Sequence, residues 1–123
     1  MVNEEEFKRR TKAVALRVIQ LVETLPWSGS SGVIGKQLLR SATSVGANYR
    51  AVCRAKSTAD IIAKLGIVEE EADECLYWME LLVESGLVPE VKLKSLMSEV
   101  NEIVAMTVTL IRTLRSKLRK NNM

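Results

Sequence analysis

The 123-residue chain contains no histidine, only two cysteines and two prolines, and 4% aromatic residues. Each shortage excludes something. Without histidine the chain lacks the commonest general base and the nitrogen ligand of most catalytic zinc sites. The Glu-x-x-His pairs that hold di-iron centres in ferritin-like bundles cannot be assembled either, so no metal and no cofactor is expected. Glu70 and Glu74 lie one helical turn apart, as do Glu69 and Asp73. Five acids in the six positions 69–74 read as a solvated or ion-paired face rather than a divalent-cation site. Cys53 and Cys75 fall on or beside apolar helical faces without C-x-x-C spacing, which suits buried reduced thiols. Apolar runs such as Leu81–Val83 and Ile103–Met106 are far shorter than the ~20 residues of a membrane span. The charged stretch from Met1 to Lys12 is unlike a secretory leader. A cytoplasmic protein with no membrane contact is the resulting expectation.

What is present is aliphatic and helical. With 47% hydrophobic residues, six glycines and few breakers, the chain suits one domain, residues 1–123, with a single core built from long elements. Asn3 followed by Glu6 forms a helix-capping pattern. Phe7, Thr11, Val14, Val18, Leu21 and Leu25 then recur at helical spacing until Pro26 intervenes. The segment from Pro26 to Gly32 reads as a flexible loop. Its glycines lack the lysine-serine ending and preceding strand of a phosphate-binding loop. A second helix carries Ile34, Leu38, Ala42, Val45, Tyr49 and Val52. A third, opened by a cap at Ser57, Thr58 and Asp60, carries Ile61, Leu65, Val68, Ala72, Cys75, Met79 and Val83 and stops at Gly86. Pro89 suits the first turn of a fourth, whose stripe runs from Leu93 through Leu96, Val100, Ile103, Thr107, Ile111 and Leu114 to Leu118, with the tail from Lys120 to Met123 fraying. The expected fold is all-α, an antiparallel up-down-up-down four-helix bundle with helices at about 4–25, 33–56, 59–85 and 90–120.

Charge is partitioned along the chain. Residues 1–59 hold ten bases and four acids, residues 60–84 one base and eight acids, and residues 85–123 seven bases and three acids. Such opposite fields favour helix pairing, within the chain or between copies, and leave basic surface elsewhere. The second helix shows three stripes. Beside its apolar side runs a line of small and polar residues including Gln37, Ser41, Ser44 and Asn48, and a third side carries Lys36, Arg40, Arg50 and Arg54. Ser41 and Ser44 have no general base with which to act as nucleophiles. Their expected role is to admit a neighbouring helix while bonding carbonyls one turn back, with Asn48 meeting Glu70, Glu71 or Glu74 across a helix interface.

The third helix carries more apolar surface than one core needs. Ile67, Trp78 and Leu81, with Tyr77 nearby, lie opposite its main stripe, and Leu16 and Ile19 are similarly placed on the first helix. A self-association surface is the preferred account of this excess, with Ser41, Ser44, Asn48, Ile67, Glu70, Glu74, Trp78 and Leu81 as its residues. Lys36, Arg40, Arg50 and Arg54, joined by Arg112 and Arg115 of the fourth helix and by Lys8, Arg9, Arg10, Lys12 and Arg17 of the first, form arrays of the kind that bind phosphate backbones by counterion release. No nucleic-acid motif accompanies them and stacking aromatics are scarce. A solvated face partly neutralised by the acidic helix of a neighbouring copy is the competing account.

The stretch GKQLLRSATSVGANYR, followed by KLGIVEEEADECLYWMELL, resembles the 23S rRNA intervening-sequence protein family. The resemblance rests on Gln37, Leu38, Arg40, Ser41, Ser44 and Asn48, then on Glu70, Glu71, Glu74, Tyr77 and Trp78. It implies a bacterial four-helix bundle that assembles as a homopentamer, without enzymatic activity. A related accessory protein of diversity-generating retroelements is a basic pentameric barrel that binds nucleic acid and a reverse transcriptase, which makes RNA or DNA an expected partner. Family sequences often carry glutamate where this chain has Ala51, so no role of that glutamate transfers. The expectation is a non-enzymatic, ring-forming bundle that binds RNA or DNA weakly through basic faces, with no small-molecule substrate. A protein-interaction scaffold is the alternative.

Overall fold

The computed structural model describes residues 3–121. They form four helices, α1 (Glu4–Glu23), α2 (Gly29–Val52), α3 (Thr58–Glu84) and α4 (Glu90–Asn121), with no strand among them. Both expected caps are made. The Asn3 side chain accepts from the Glu6 amide at 2.7 Å, and Ser57 Oγ accepts from the Asp60 amide at 3.0 Å, each satisfying an amide left free in a helix's first turn. Gly86 ends α3 in the left-handed region at φ 80°. Its amide bonds the Val83 carbonyl, and that of Val88 bonds Leu82, both at 3.0 Å. A side chain would strain that turn.

The first connection departs from expectation. Helix α1 stops at Glu23, and α2 begins at Gly29 and ends at Val52, so most of the expected 26–32 loop is helical and the Cys53–Lys56 stretch is not. Two contacts close the tight corner. Ser31 Oγ bonds the Pro26 and Ser28 carbonyls at 3.3 Å. Gly32 lies so close against the Trp27 carbonyl that an added Cβ would clash with it. Lys120 and Asn121 still belong to α4; residues 122–123 of the expected frayed tail lie outside the described residues.

Residue pairings show alternating directions. Phe7 near the start of α1 stacks on Tyr49 near the end of α2, with ring centroids 4.2 Å apart. Arg10 and Arg17 of α1 bond Glu99 and Ser95 of α4 in reverse order. Ser41, midway along α2, meets Cys75 of α3. Each helix packs on its sequence neighbours, and α4 closes the set against α1 through the slightest interface. The helices therefore stand at the corners of a square, with α1 diagonal to α3. The start of α1, the end of α2, the start of α3 and the end of α4 share one end of the bundle.

The core is the aliphatic one expected, with Val14, Val18, Leu38, Val45, Leu65, Val68, Met79, Leu93 and Ile103 nearly or fully buried. Helix α3, flanked by extensive contacts with both α2 and α4, buries a wider arc than one stripe. Leu76 and Leu82 are buried while Val83 is only half-buried. That geometry corrects the reading of Trp78 and Leu81 as bare outer-face residues: both are half-buried within the single chain, and Trp78 packs against its core.

Two glycines test these contacts. Gly32→Ala must displace the Trp27 backbone and should lower stability by about 1–3 kcal/mol. Gly66→Ala, with no atom within 4 Å of the added methyl, should raise it by about 0.5–1 kcal/mol through helix propensity. Chemical denaturation of both variants beside the parent checks the opposite signs.

Candidate nucleic-acid interface

The residues singled out on α2 separate along the bundle. Lys36 is exposed beside Pro26 and Trp27, at the end away from the start of α1. Arg40 is committed within the chain: its guanidinium bonds Glu71 at 3.0 Å and also bonds Glu74. Glu74 accepts further from Trp78 Nε1 at 3.2 Å, and the Arg40 bond holds its carboxyl below the usual carboxylate range. Arg40 is thus a clamp between α2 and α3 rather than a free cation, with Glu71 and Glu74 as its partners and Trp78 tied in through Glu74.

Ser41 is corrected in the same way. It is fully buried inside the chain, bonds the Gln37 and Leu38 carbonyls at 3.1 Å, and accepts from the Cys75 thiol at 3.4 Å. Its small side chain serves α2–α3 packing, the structural role expected of it, and cannot reach a second copy. Burial pushes the Cys75 thiol up to about 11, so it remains a protonated donor at neutral pH. Asn48 does not meet the acids of α3; its amide donates to the Ser44 carbonyl at 2.8 Å, and both residues are half-buried. Of the expected interface set, Ile67 and Glu70 remain exposed.

Arg50 and Arg54 are exposed at the cationic end, where the structure gathers cations from other helices. One groove between α1 and α2 is lined by Lys8, Lys12 and Arg50. A second, between α2 and α3, is lined by Arg50, Arg54, Lys56 and Lys64. Lys56 and Lys64 escaped the sequence reading because stripes were followed along single helices, whereas the grouping belongs to an end of the bundle. The signal was available in the spacing of Arg54 and Lys56 across the α2–α3 connection. Beyond Ile111, the last buried residue of α4, exposed Arg112, Arg115, Lys117, Arg119 and Lys120 continue toward the same end.

The acids at this end are already engaged. Glu4 and Glu5 pair with Lys8, Glu6 with Arg9, and Asp60 with Lys64 at 2.6 Å. Glu99 and Glu102 pair with Arg10 between α1 and α4. Lys12, Arg50, Arg54, Lys56, Arg112, Arg115, Lys117, Arg119 and Lys120 are all exposed and, among the described residues, have no acidic side chain in ion-pairing range. This clustering of one sign focuses a positive field that attracts polyanions. No group of three or more potential ligands gathers for a metal ion among the described residues. None of the described helices is long and apolar enough to cross a membrane.

Fold and surface together define a small helical bundle with one cationic end. A family model for the 23S rRNA-intervening sequence protein matches residues 3–109, and the chain belongs to that family. The crystal structure of a protein of unknown function from the S23 ribosomal protein family of Bacteroides thetaiotaomicron VPI-5482 is similar, with a TM-score of 0.78 and 34% sequence identity. The match covers 85% of this chain and 97% of that one. Among curated proteins, none matches.

The α1–α4 clamp generates a pH prediction. The hydrogen bond from Arg10 holds the Glu99 carboxyl below its ordinary range. Its contribution is therefore complete above the unfolded carboxylate pKa near ~4.3 and disappears as pH falls through the lowered folded value. Glu99→Gln should cost about 1–2 kcal/mol at pH 7 and flatten the loss of stability on acidification. Urea unfolding at pH 7 and pH 3 measures both; equal acid losses in parent and variant would contradict the assignment.

Proposed function

We propose that the protein is a non-enzymatic, self-assembling bundle that binds RNA or DNA through its cationic end. The observation that carries this reading is the set of nine exposed bases, drawn from α1, α2, the α2–α3 connection and α4, left without acidic partners at one end among the described residues. Such an array binds phosphates by releasing condensed counterions and needs no base-reading motif. Arg50 and Arg54 are its centre, Lys12 and Lys56 flank them, and Arg112 and Arg115 extend it along α4.

Self-assembly is supported by the diagonal placement of α1 and α3. Helix α1 exposes Leu16 and Ile19 beside Lys12 and Arg17, and α3 exposes Ile67 and Tyr77 among Glu70, Asp73 and Glu80. These faces complement each other in apolar content and charge, and they lie on opposite corners of the bundle. A head-to-tail contact between them is heterologous, the kind that generates rings; the family resemblance favours five copies. Two apolar faces on one small domain are more than a monomer commonly exposes.

Fluorescence polarisation with labelled RNA and DNA tests the nucleic-acid half. Affinity should fall steeply between about 50 and 200 mM salt. The double variant Arg50→Glu, Arg54→Glu should bind at least tenfold more weakly on every sequence, with an unchanged helical spectrum. Absence of salt-sensitive binding at the lower salt contradicts the reading and leaves a scaffold for protein partners. Sedimentation tests the other half: Leu16→Asp and Tyr77→Arg should each lower the solution mass, and a parent that sediments as a monomer removes the assembly.

A further inference from the structure

Resting on the nucleic-acid reading of the cationic end, we infer that its ligand is a double helix held by its sugar-phosphate rails, in preference to a single strand. The two grooves run on either side of the last turns of α2 and share Arg50. Lys8 and Lys12 stand on one side, Arg54, Lys56 and Lys64 on the other. Between these cations the walls are alanine, glycine and threonine, with Asp60 tied to Lys64. Neither groove is lined by an aromatic side chain.

That composition decides between the two forms of nucleic acid. Proteins that hold single strands stack successive bases on exposed aromatic rings, and those platforms supply much of the affinity. Here the aromatic rings nearest the grooves, Phe7 and Tyr49, are buried and stacked on each other. Trp27 is exposed at the opposite end, and Tyr77 and Trp78 pack edge to face in the second half of α3. A surface that offers cations without stacking rings binds in proportion to phosphate density, and a duplex presents one charge per ~1.7 Å of its axis with the larger counterion release per contact. Cations on three adjacent helices, whose axes pack ~8–10 Å apart, also present more than one row of charge to the two rails of a duplex.

The test compares a 20-base-pair duplex with a 40-nucleotide strand designed not to pair, both as RNA and as DNA, so that phosphate numbers match. Polarisation at a single salt concentration should show the duplex bound at least tenfold more tightly, with the steeper dependence on salt. Arg50→Gln, which removes the charge common to both grooves, should lower the duplex salt slope by about one. Equal or tighter binding of the single strand overturns the duplex inference while leaving nucleic-acid binding in place. An unchanged slope in Arg50→Gln overturns the role of the paired grooves. Binding of neither form overturns both the inference and the reading beneath it.

Discussion

The close pairing of α2 with α3 is the contact on which the remaining surface depends. A small hydroxyl at Ser41 lets the helices approach and satisfies itself on carbonyls of its own helix while receiving the Cys75 thiol. The preceding residue, Arg40, bridges Glu71 and Glu74, and Glu74 in turn anchors the Trp78 indole. This network takes a cation, two carboxylates and the largest side chain of α3 out of circulation. What any ligand or second copy meets is the residue of that subtraction: an acidic outer face on α3 and a cationic end fed by α1, α2, the α2–α3 connection and α4.

The opposite seam is weaker in a way that fits its chemistry. Helices α1 and α4 share few contacts and are spanned by the Arg10–Glu99 clamp, whereas α2 and α3 join their own Arg40 clamp to a much larger packed interface that includes the close Ser41–Cys75 contact. A partly buried charge pair holds orientation but contributes less than apolar packing, because each ion loses hydration on burial. The bundle is therefore firmest along α2, α3 and the facing stripe of α4. Helix α1 is held chiefly by Phe7, Val14 and Val18 in the core.

Much of this was legible from residue order. The periodic apolar stripes of α1, α2 and α4 correspond to their buried faces, and Asn3 marks the start of α1 and Ser57 and Gly86 the two ends of α3 because caps and left-handed turns have strict local requirements. Where the reading went astray, the cause was tertiary. Ser-Gly segments are usually loops, but a corner closed by Ser31 and Gly32 allowed α2 to begin at Gly29. Trp78 and Leu81 looked surplus because a single stripe was assumed for α3, whereas a helix flanked on two sides buries a broader arc. Arg40 was grouped with Arg50 and Arg54 by spacing alone. Its capture by Glu71 and Glu74 could be foreseen only by placing the acidic third helix against the second, and Lys56 and Lys64 join the cationic end only once the helices are stood side by side.

Separation of charge is then the feature that joins fold to function. Acids at the cationic end are paired off by Lys8, Arg9, Lys64 and Arg10, and the bases left over share one region of the surface. The direct check is lysine footprinting: acylate the protein with and without a saturating RNA or DNA duplex and read each site by mass spectrometry. Lys12, Lys56, Lys117 and Lys120 should be protected while Lys36, Lys92 and Lys94 react as in the free protein. Uniform reactivity, or protection centred on Lys36, Lys92 and Lys94, would contradict the account.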